Sequence, residues 1–346
     1  MRPRAGLRLV LPVLLVLVLA NAMLVWQPGI TFRQEVFFLG PWGEEAGNFA
    51  KTLARDGSFL GPRHFAVVGD QVLVADVVNE QLVILTLSPT PAWVDMKPLP
   101  DIMAVQGIGW VGGDFVIQDG ESGLHRFTDV AWELWATEIE TPDDATLVLA
   151  SGLATTAQDK VYHALSCITP EGEIWELWRM KATGTPQLIL TWSQPPALTR
   201  ASGAFAVDSE LYVSVLDFSV SPRGDIVVQT MEREPLKPAF LMVNAGLTHL
   251  QRLDISPKGS ALPQLVGVDR GQNTYLAEGD QLVVYRSNGR ILGEVSLPPA
   301  GERQSLALDD KGNFYVLVHS PEGVELVRYQ SLRTGRIAFR WRSGGT

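Results

Sequence analysis

The sequence predicts an all-β protein folded as a β-propeller, most simply one with six blades. The first observation is a repeated phrase in which an apolar run meets a Gly/Asp/Asn turn and a second apolar run follows. The copies lie at Phe65–Asp76, Ile108–Asp119, Leu153–Leu165, Phe218–Thr230, Val266–Ala277 and Leu306–Val318. The second observation is their spacing of roughly 40–50 residues, which is typical of propeller blades. The third is the length of 346 residues, which one closed ring explains as a single domain.

The N-terminal segment, residues 1–29, predicts either a membrane anchor or a signal peptide. Three arginines within the first eight residues precede Leu9–Trp26, an uncharged and mostly apolar run. This run is just long enough to cross a bilayer core as a transmembrane helix, with the short N-terminus held inside by the arginines. Alternatively, Ala20-Asn21-Ala22 matches the cleavage pattern of a signal peptide, with the cut after Ala22. Both interpretations place the domain outside the cytoplasm, either attached to the cytoplasmic membrane or secreted.

The next part, residues 30–60, is interpreted as a linker, and residues 61–346 as the propeller. The linker contains a strand at Phe32–Leu39 and a short helix at Glu45–Ala54. A fourth strand for the last blade comes from one of two places, Arg336–Trp341 or Phe32–Leu39. The second choice pairs the two ends of the chain, and either choice removes an exposed sheet edge.

Within each copy the predicted order is strand A, a tight turn, strand B and strand C. The turns, such as Asp309–Asn313, contain residues that tolerate the positive φ of a hairpin. A fourth strand is readable in several copies, for example at Ile291–Leu297. The longest interval between copies contains an extra hairpin-like piece, Ala204–Ser214, interpreted as an insertion in a six-bladed ring. A degenerate seventh blade is the alternative.

The first copy carries motif residues beyond the hydrophobic rhythm. Gly61-Pro62 precedes the inner strand, the second strand ends in Val74-Ala75-Asp76, and Asn79 stands before the third strand. These residues resemble the NHL-repeat family of six-bladed propellers. The later copies keep the alternation of apolar runs and turns but mostly lose the Pro, the Ala-Asp pair and the Asn. The resemblance implies the fold and a general role in binding proteins or ligands. It implies no catalytic activity.

Composition and motifs favour a binding module over an enzyme. The net charge of −10 argues against a nucleic-acid partner, which would need a basic face. The single cysteine, Cys167, lies in an apolar run and is expected to be a buried structural thiol. No P-loop, nucleophile elbow or metal-ligand spacing is present. We therefore expect an extracytoplasmic scaffold for a protein, peptide or glycan, without a cofactor. The alternative is a metal-dependent hydrolase or lyase, with calcium as its ion.

The expected binding site lies on the face that carries the loops before strand A and between strands B and C. These loops vary freely on a rigid ring and surround one shallow funnel. The residues expected to line it are Arg63, His64, Asp76, Asp119, Arg303 and His319. Four of the six belong to the first and last blades, which become neighbours when the ring closes. Their mixed charge predicts a peptide or an anionic sugar as the ligand.

Overall fold

The structure is a computed structural model that describes most of the chain from residue 22 to residue 341. Within that range it leaves out residues 44, 46–47, 54–58, 88–91, 103, 121–122, 129–130, 136–143, 157, 182–185, 197–203 and 260. The regular elements of the described residues are β-strands throughout, with no α-helix. The predicted all-β class is therefore confirmed.

The strands follow one another along the chain with short connections. The first are β1 (Ala22–Pro41), β2 (Thr52–Leu53), β3 (Phe59–Leu60), β4 (His64–Val68), β5 (Gln71–Asp76), β6 (Gln81–Thr86), β7 (Ala92–Pro98), β8 (Val105–Val111), β9 (Asp114–Asp119), β10 (Leu124–Thr128), β11 (Ala131–Leu134), β12 (Leu147–Thr156), β13 (Lys160–Thr169) and β14 (Gly172–Lys181). The others are β15 (Gln187–Gln194), β16 (Phe205–Ala206), β17 (Tyr212–Val220), β18 (Ile226–Glu232), β19 (Lys237–Val243), β20 (Leu250–Arg252), β21 (Gln264–Val268), β22 (Thr274–Glu278), β23 (Gln281–Tyr285), β24 (Ile291–Ser296), β25 (Arg303–Leu308), β26 (Phe314–His319) and β27 (Gly323–Trp341).

Six sheets form the blades of a propeller, as predicted. Blade one contains β4 to β7, blade two β8 to β11, blade three β12 to β16, blade four β17 to β20, and blade five β21 to β24. Blade six has the order β25-β26-β27-β1. The strands of each blade pair antiparallel, except that the short β16 pairs parallel with β15. A separate two-stranded sheet joins β2 and β3.

The ring closes where blade six meets blade one. The inner strands contact one another in the order β4, β8, β12, β17, β21 and β25, and β25 contacts β4. The N-terminal β1 is the outer strand of blade six, with Phe32 opposite Ser331 and Leu39 opposite Glu325 on β27. The predicted ring-closing strand Phe32–Leu39 is thus part of β1, whereas Arg336–Trp341 is the end of β27 itself. Blade six therefore contains residues from both ends of the chain.

The first hairpin of blade six shows why the repeated turn forms. Asp309 Oδ1 accepts hydrogen bonds from the backbone nitrogens of Lys311 (2.9 Å) and Asn313 (2.8 Å). Its Oδ2 accepts a further bond from Asn313 Nδ2 at 2.8 Å. Gly312 has a φ of +85°, which a side chain would disfavour. The aspartate, glycine and asparagine of this turn thus satisfy its backbone and reverse the chain between β25 and β26.

Apolar side chains pack between neighbouring blades, because successive residues of a strand point to opposite faces and both faces are covered. The cluster between blades three and four is large and includes Trp175, Trp192 and Phe218. The cluster between blades six and one includes Phe49, which is fully buried although it precedes the first repeat. The smallest cluster lies between blades two and three: Val111, Val116, Leu124, Val161 and Met180. Among the described residues, this last junction has the fewest buried apolar side chains.

Two predicted local elements are wrong. Ala204–Ser214 forms no hairpin, because the backbone nitrogens of Glu210 and Tyr212 both bond to Asp208, and this turn directs the chain into β17. The helix at Glu45–Ala54 is also absent from its described residues. There Phe49 forms a parallel bridge with Trp42, and Thr52–Leu53 is β2. Burial of the Phe49 ring in the core draws this part of the chain into an extended form.

The predicted anchor falls mostly outside the described residues. Residues 9–21 are not described, and Ala22–Trp26 forms the start of β1, paired with the end of β27. In the described part of the chain, the structure contains no helix long and apolar enough to span a bilayer. Membrane attachment and export therefore stay predictions.

Candidate functional site

The closing junction, where blade six meets blade one, contains a cavity of about 710 Å³. It is lined by Trp42, Lys51, Arg63, Ala300, Gly301, Glu302, Arg303, Gln304, His319, Ser320 and Pro321. Arg63 comes from the loop before β4, and residues 300–302 come from the loop before β25. Ser320 and Pro321 come from the turn between β26 and β27. These are the loop classes expected to surround the funnel.

Three of the six predicted site residues line this cavity together: Arg63, Arg303 and His319. The arginines belong to neighbouring blades, and His319 ends β26. The structure brings them together because the ring closes between the first and last blades, far apart in sequence.

His319 is held as a neutral imidazole against blade one. Its Nε2 lies 2.8 Å from the Pro62 carbonyl oxygen, and since that oxygen can only accept, Nε2 carries the proton. Burial lowers the pKa of His319; the bond to Pro62 opposes this, and the charges of Arg63 and Lys51 lower it further. The Trp42 ring packs edge-on against the imidazole, with centroids 5.2 Å apart.

Arg303 contributes a guanidinium that is only partly satisfied by protein atoms. Its Nη2 donates to the Gly279 carbonyl oxygen at 3.1 Å, which ties it to blade five. Its Nη1 is buried and has no hydrogen-bond partner within the described residues. A buried hydrogen-bond donor without a partner costs stability.

The wall opposite blade six comes from residues before the first repeat. Trp42 Nε1 donates to the Ser320 carbonyl oxygen at 2.9 Å, and Lys51 Nζ lies 4.8 Å from the centroid of the Trp42 ring. Sequence reasoning did not assign Trp42 or Lys51 to the site, because they lie in the predicted linker and outside every repeat. The Gly40-Pro41-Trp42-Gly43 motif was the available signal.

Gln304 was also missed, for a different reason. It sits at a β-bulge, where the pairing of β25 with β26 shifts between Arg303 and Ser305. The inner strands of blades two to six all contain such a bulge. A bulge re-aims a side chain relative to simple alternation, and the sequence does not mark its position.

The other three predicted residues do not line the cavity. His64 is half-buried at the start of β4, and burial and then Arg63 lower its pKa. Asp76 is fully buried and accepts a hydrogen bond from the Ala50 backbone nitrogen at 3.0 Å. Burial raises the pKa of Asp76, although its hydrogen bonds oppose the rise. Asp119 lies in blade two, where it bonds His125 Nε2 at 2.8 Å.

A second polar cluster lies in the blade two–three junction, sealed from solvent. Gln118 Nε2 and His163 Nδ1 are 3.4 Å apart, which leaves the proton of His163 on Nε2. Burial lowers the pKa of His163 to about 4, with the Asp119 charge opposing. Within the described residues, His163 Nε2 and Gln118 Oε1 are buried without a hydrogen-bond partner. Sequence reasoning did not single out this cluster.

The described residues contain no cluster of acidic side chains that fits the calcium site of the alternative prediction. Hard cations such as calcium need several oxygen ligands around one point. Within the described ranges, no group of three or more His, Cys, Asp or Glu side chains is placed to hold a metal ion.

Comparison with known proteins supports the fold. No protein-family model matches the sequence, and no curated protein matches it significantly. The structure is similar to a gluconolactonase from Xanthomonas campestris, with 13% identity over 90% of this chain and 97% of the other, at a TM-score of 0.52. It is also similar to regucalcin, a calcium-binding protein from Agrobacterium tumefaciens, with 12% identity over 88% and 98% of the two chains, at a TM-score of 0.50. At such low identity the likeness extends to the six-bladed propeller fold alone, and the resemblance to NHL-repeat proteins stays a prediction.

Proposed function

We propose that this protein binds a small anionic molecule in the cavity of the closing junction. The observation that carries the proposal is the convergence of three cationic side chains, Lys51, Arg63 and Arg303, on one cavity. Glu302 is the one acidic residue among the lining residues that the structure describes. The chain as a whole has a net charge of −10, so this concentration of positive charge is local.

The size and composition of the cavity suit a small molecule. Ligand pockets of proteins generally enclose roughly 300–1,000 Å³, and this one falls within that range. Trp42 supplies an apolar surface, and the two arginines offer planar donors that match a carboxylate or phosphate. A free carboxylate at the end of a peptide or on a sugar acid has the required chemistry, in line with the ligands predicted from the sequence.

The second candidate function is hydrolysis of a lactone or related ester in the same cavity. The solved propellers of this fold include a protein named gluconolactonase, which supports an enzyme more than a protein scaffold. Opening a lactone creates a carboxylate, and cations beside the reacting carbonyl would stabilise the negative charge that develops there. His319 would be neutral and able to take part in proton transfer, given its lowered pKa.

Binding is tested by calorimetric titration with gluconate and with glucose, its uncharged counterpart. We expect gluconate to bind and glucose to bind far more weakly. Arg303→Gln should weaken gluconate binding about tenfold, the loss typical of a charged hydrogen bond. The matched control is Arg223→Gln, an exposed arginine in the turn between β17 and β18 and outside the cavity lining. Equal binding of both sugars, or an equal effect of both variants, would contradict the proposal.

Catalysis is tested by acid release from glucono-1,5-lactone at constant pH. Turnover above the spontaneous rate, reduced in Arg303→Gln and His319→Gln but not in Arg223→Gln, would support the hydrolase. Parallel assays with added calcium chloride and with EDTA report any metal requirement. Gluconate binding without turnover of the lactone would instead support a binding module.

We further propose that the domain works outside the cytoplasm. The support is the arginine-flanked apolar run Leu9–Trp26 of the sequence. A cut after Ala22 would leave all but the first residue of β1 in the mature chain, so a cleaved protein could still close its ring. N-terminal sequencing distinguishes the two forms: a mature terminus at Met23 indicates secretion, and an intact terminus in the membrane fraction indicates an anchor.

A further inference from the structure

The wall of the cavity depends on a buried carboxylate that does not itself reach the cavity. Asp76 ends β5, and its side chain has no exposed surface. Its Oδ2 accepts a hydrogen bond from the Ala50 backbone nitrogen at 3.0 Å. Ala50 directly precedes Lys51 in a segment, Asn48–Lys51, that belongs to no blade. One carboxylate of blade one therefore fixes the backbone next to a cavity residue.

Two amide side chains complete this attachment. Asn79 Nδ2 lies 3.1 Å from Asp76 Oδ2 and 3.3 Å from the Asn48 carbonyl oxygen. Gln81 Nε2 reaches the same two oxygens at 3.5 and 3.4 Å. The carboxylate, both amides and the backbone of the segment form one network, and such a network orders its members together.

The attached segment also fixes Trp42. The Phe49 backbone nitrogen donates to the Pro41 carbonyl oxygen at 3.0 Å, and the Gly43 nitrogen donates to the Phe49 carbonyl oxygen at 2.9 Å. The Phe49 ring is fully buried and packs against Trp93 of blade one, with centroids 5.3 Å apart. The segment Asn48–Lys51, whose backbone and Phe49 ring are both attached to blade one, thus contains Lys51 and holds Trp42 through its backbone.

We infer that Asp76 is a positioning residue for the cavity: it acts through Asn48–Lys51 to hold Lys51 and Trp42 in the wall. This inference rests on the proposed function for its effect on ligands, but its structural part stands without any ligand. Loss of a buried acceptor leaves the Ala50 N–H unsatisfied. Movement of the segment into water would satisfy this N–H, and that movement takes Lys51 with it.

The test compares Asp76→Asn with Asp309→Asn. Both carboxylates are buried, and both accept hydrogen bonds from backbone nitrogens and an asparagine side chain. Among the described residues, however, Asp309 accepts its side-chain hydrogen bonds from the turn between β25 and β26 and from the Tyr315 hydroxyl on β26, and none of these bonds involves Asn48–Lys51. In each variant the new carboxamide keeps one acceptor oxygen and places an NH2 group against hydrogen-bond donors. In Asp76→Asn a single oxygen then remains for four donors, which include the Ala50 backbone nitrogen. Both variants are therefore expected to lose stability, and stability alone does not separate them.

Two measurements without ligand address the structural part. Hydrogen exchange should speed up at least about tenfold at the Ala50 amide in Asp76→Asn, as expected for local opening. Limited trypsin digestion should cut faster after Lys51 in the same variant. Neither change is expected in Asp309→Asn. Equal exchange and equal cleavage in the two variants would overturn the inference even if gluconate binds as proposed.

A double-mutant cycle with gluconate as the probe addresses the effect on the site. Asp76→Asn and Lys51→Met should each weaken binding, by about tenfold for the loss of one charged contact. If Asp76 acts through Lys51, adding Asp76→Asn to Lys51→Met should change the affinity by less than about twofold. Additive losses would contradict positioning through Lys51. If gluconate fails to bind the wild type, the proposed ligand class is wrong, while the exchange and trypsin results still decide the role of Asp76.

Discussion

The closing junction and the blade two–three junction both place a histidine from the second strand of a blade between two sheets, yet they use it differently. His319 donates to the Pro62 carbonyl oxygen and faces a cavity. His163 is sealed, and its Nε2 has no partner within the described residues. Residues from outside the repeats, Trp42 and Lys51, contribute to the closing junction. The described residues of the blade two–three junction belong to the blades themselves. A cavity thus lies where the ring joins the two ends of the chain, because residues from outside the repeats are available there to line it.

The two junctions also differ in what holds them. The closing junction has the larger apolar cluster, with Phe49 added from the segment before the first repeat. In the part of the chain that the structure describes, the blade two–three junction combines five buried apolar residues with buried polar groups that lack full hydrogen bonding. Buried polar groups without partners cost stability. We therefore expect the stability of the closing junction to depend mainly on apolar packing, and the stability of the blade two–three junction to depend on pH.

The largest expected effect is that of Phe49→Ala. Removing a fully buried ring from the closing junction should lower the free energy of unfolding by about 3–5 kcal/mol, through lost burial and the cavity left behind. Met180→Ala, in the blade two–three junction, should cost about 2 kcal/mol or more. Urea unfolding measures both, with the exposed Leu236→Ala as control. If Phe49→Ala costs no more than the control, the segment before the first repeat does not hold the ring closed.

The next effect is a loss of stability in mild acid that belongs to His163. Its pKa is about 4 in the folded state and 6.5 as the ordinary value, so the unfolded chain binds the proton first as the pH falls. The contribution is fully present above pH 6.5 and is lost as the pH falls toward about 4, up to about 3 kcal/mol. Free energies of unfolding across this window should fall less in His163→Gln. Identical pH dependence in both proteins would show that His163 does not govern this junction.

The repeats identified the blades well, and the cavity only in part. Alternating apolar runs and Asp/Gly/Asn turns determine local pairing, so the sequence predicted hairpins such as β25–β26 closely. Arg63, Arg303 and His319 were found because closure of the ring follows from counting blades. Lys51 and Trp42 were missed because their positions depend on the buried network of Asp76 and on the burial of Phe49. The cluster around His163 was missed because a single buried histidine has no sequence pattern.

Asp217 provides a third and smaller effect, opposite in sign to that of His163. Burial raises the pKa of this carboxyl on β17 from 3.8 to about 6, with the bond from the Phe218 nitrogen opposing. The folded state therefore favours the protonated form, and stability falls as the pH rises from 3.8 through about 6. Asp217→Asn should raise the free energy of unfolding at neutral pH by about 1–2 kcal/mol. In Asp217→Asn, the free energy of unfolding should fall more steeply as the pH is lowered, because Asp217 no longer offsets the effect of His163. An unchanged pH profile would contradict the raised pKa of Asp217.

The smallest expected effect concerns an ion pair on the surface that links the two blades of the closing junction. On the face opposite the cavity, Lys311 Nζ of blade six lies 3.4 Å from Asp70 Oδ1 of blade one. Both side chains are largely exposed, at 65% and 71%, so water and salt screen the pair. Lys311→Met should therefore change the free energy of unfolding by less than about 0.5 kcal/mol, and the change should shrink at high salt. Urea unfolding at two salt concentrations checks this against Phe49→Ala. A salt-sensitive loss as large as that of Phe49→Ala would mean that charge pairing, rather than apolar packing, holds the two ends of the chain together.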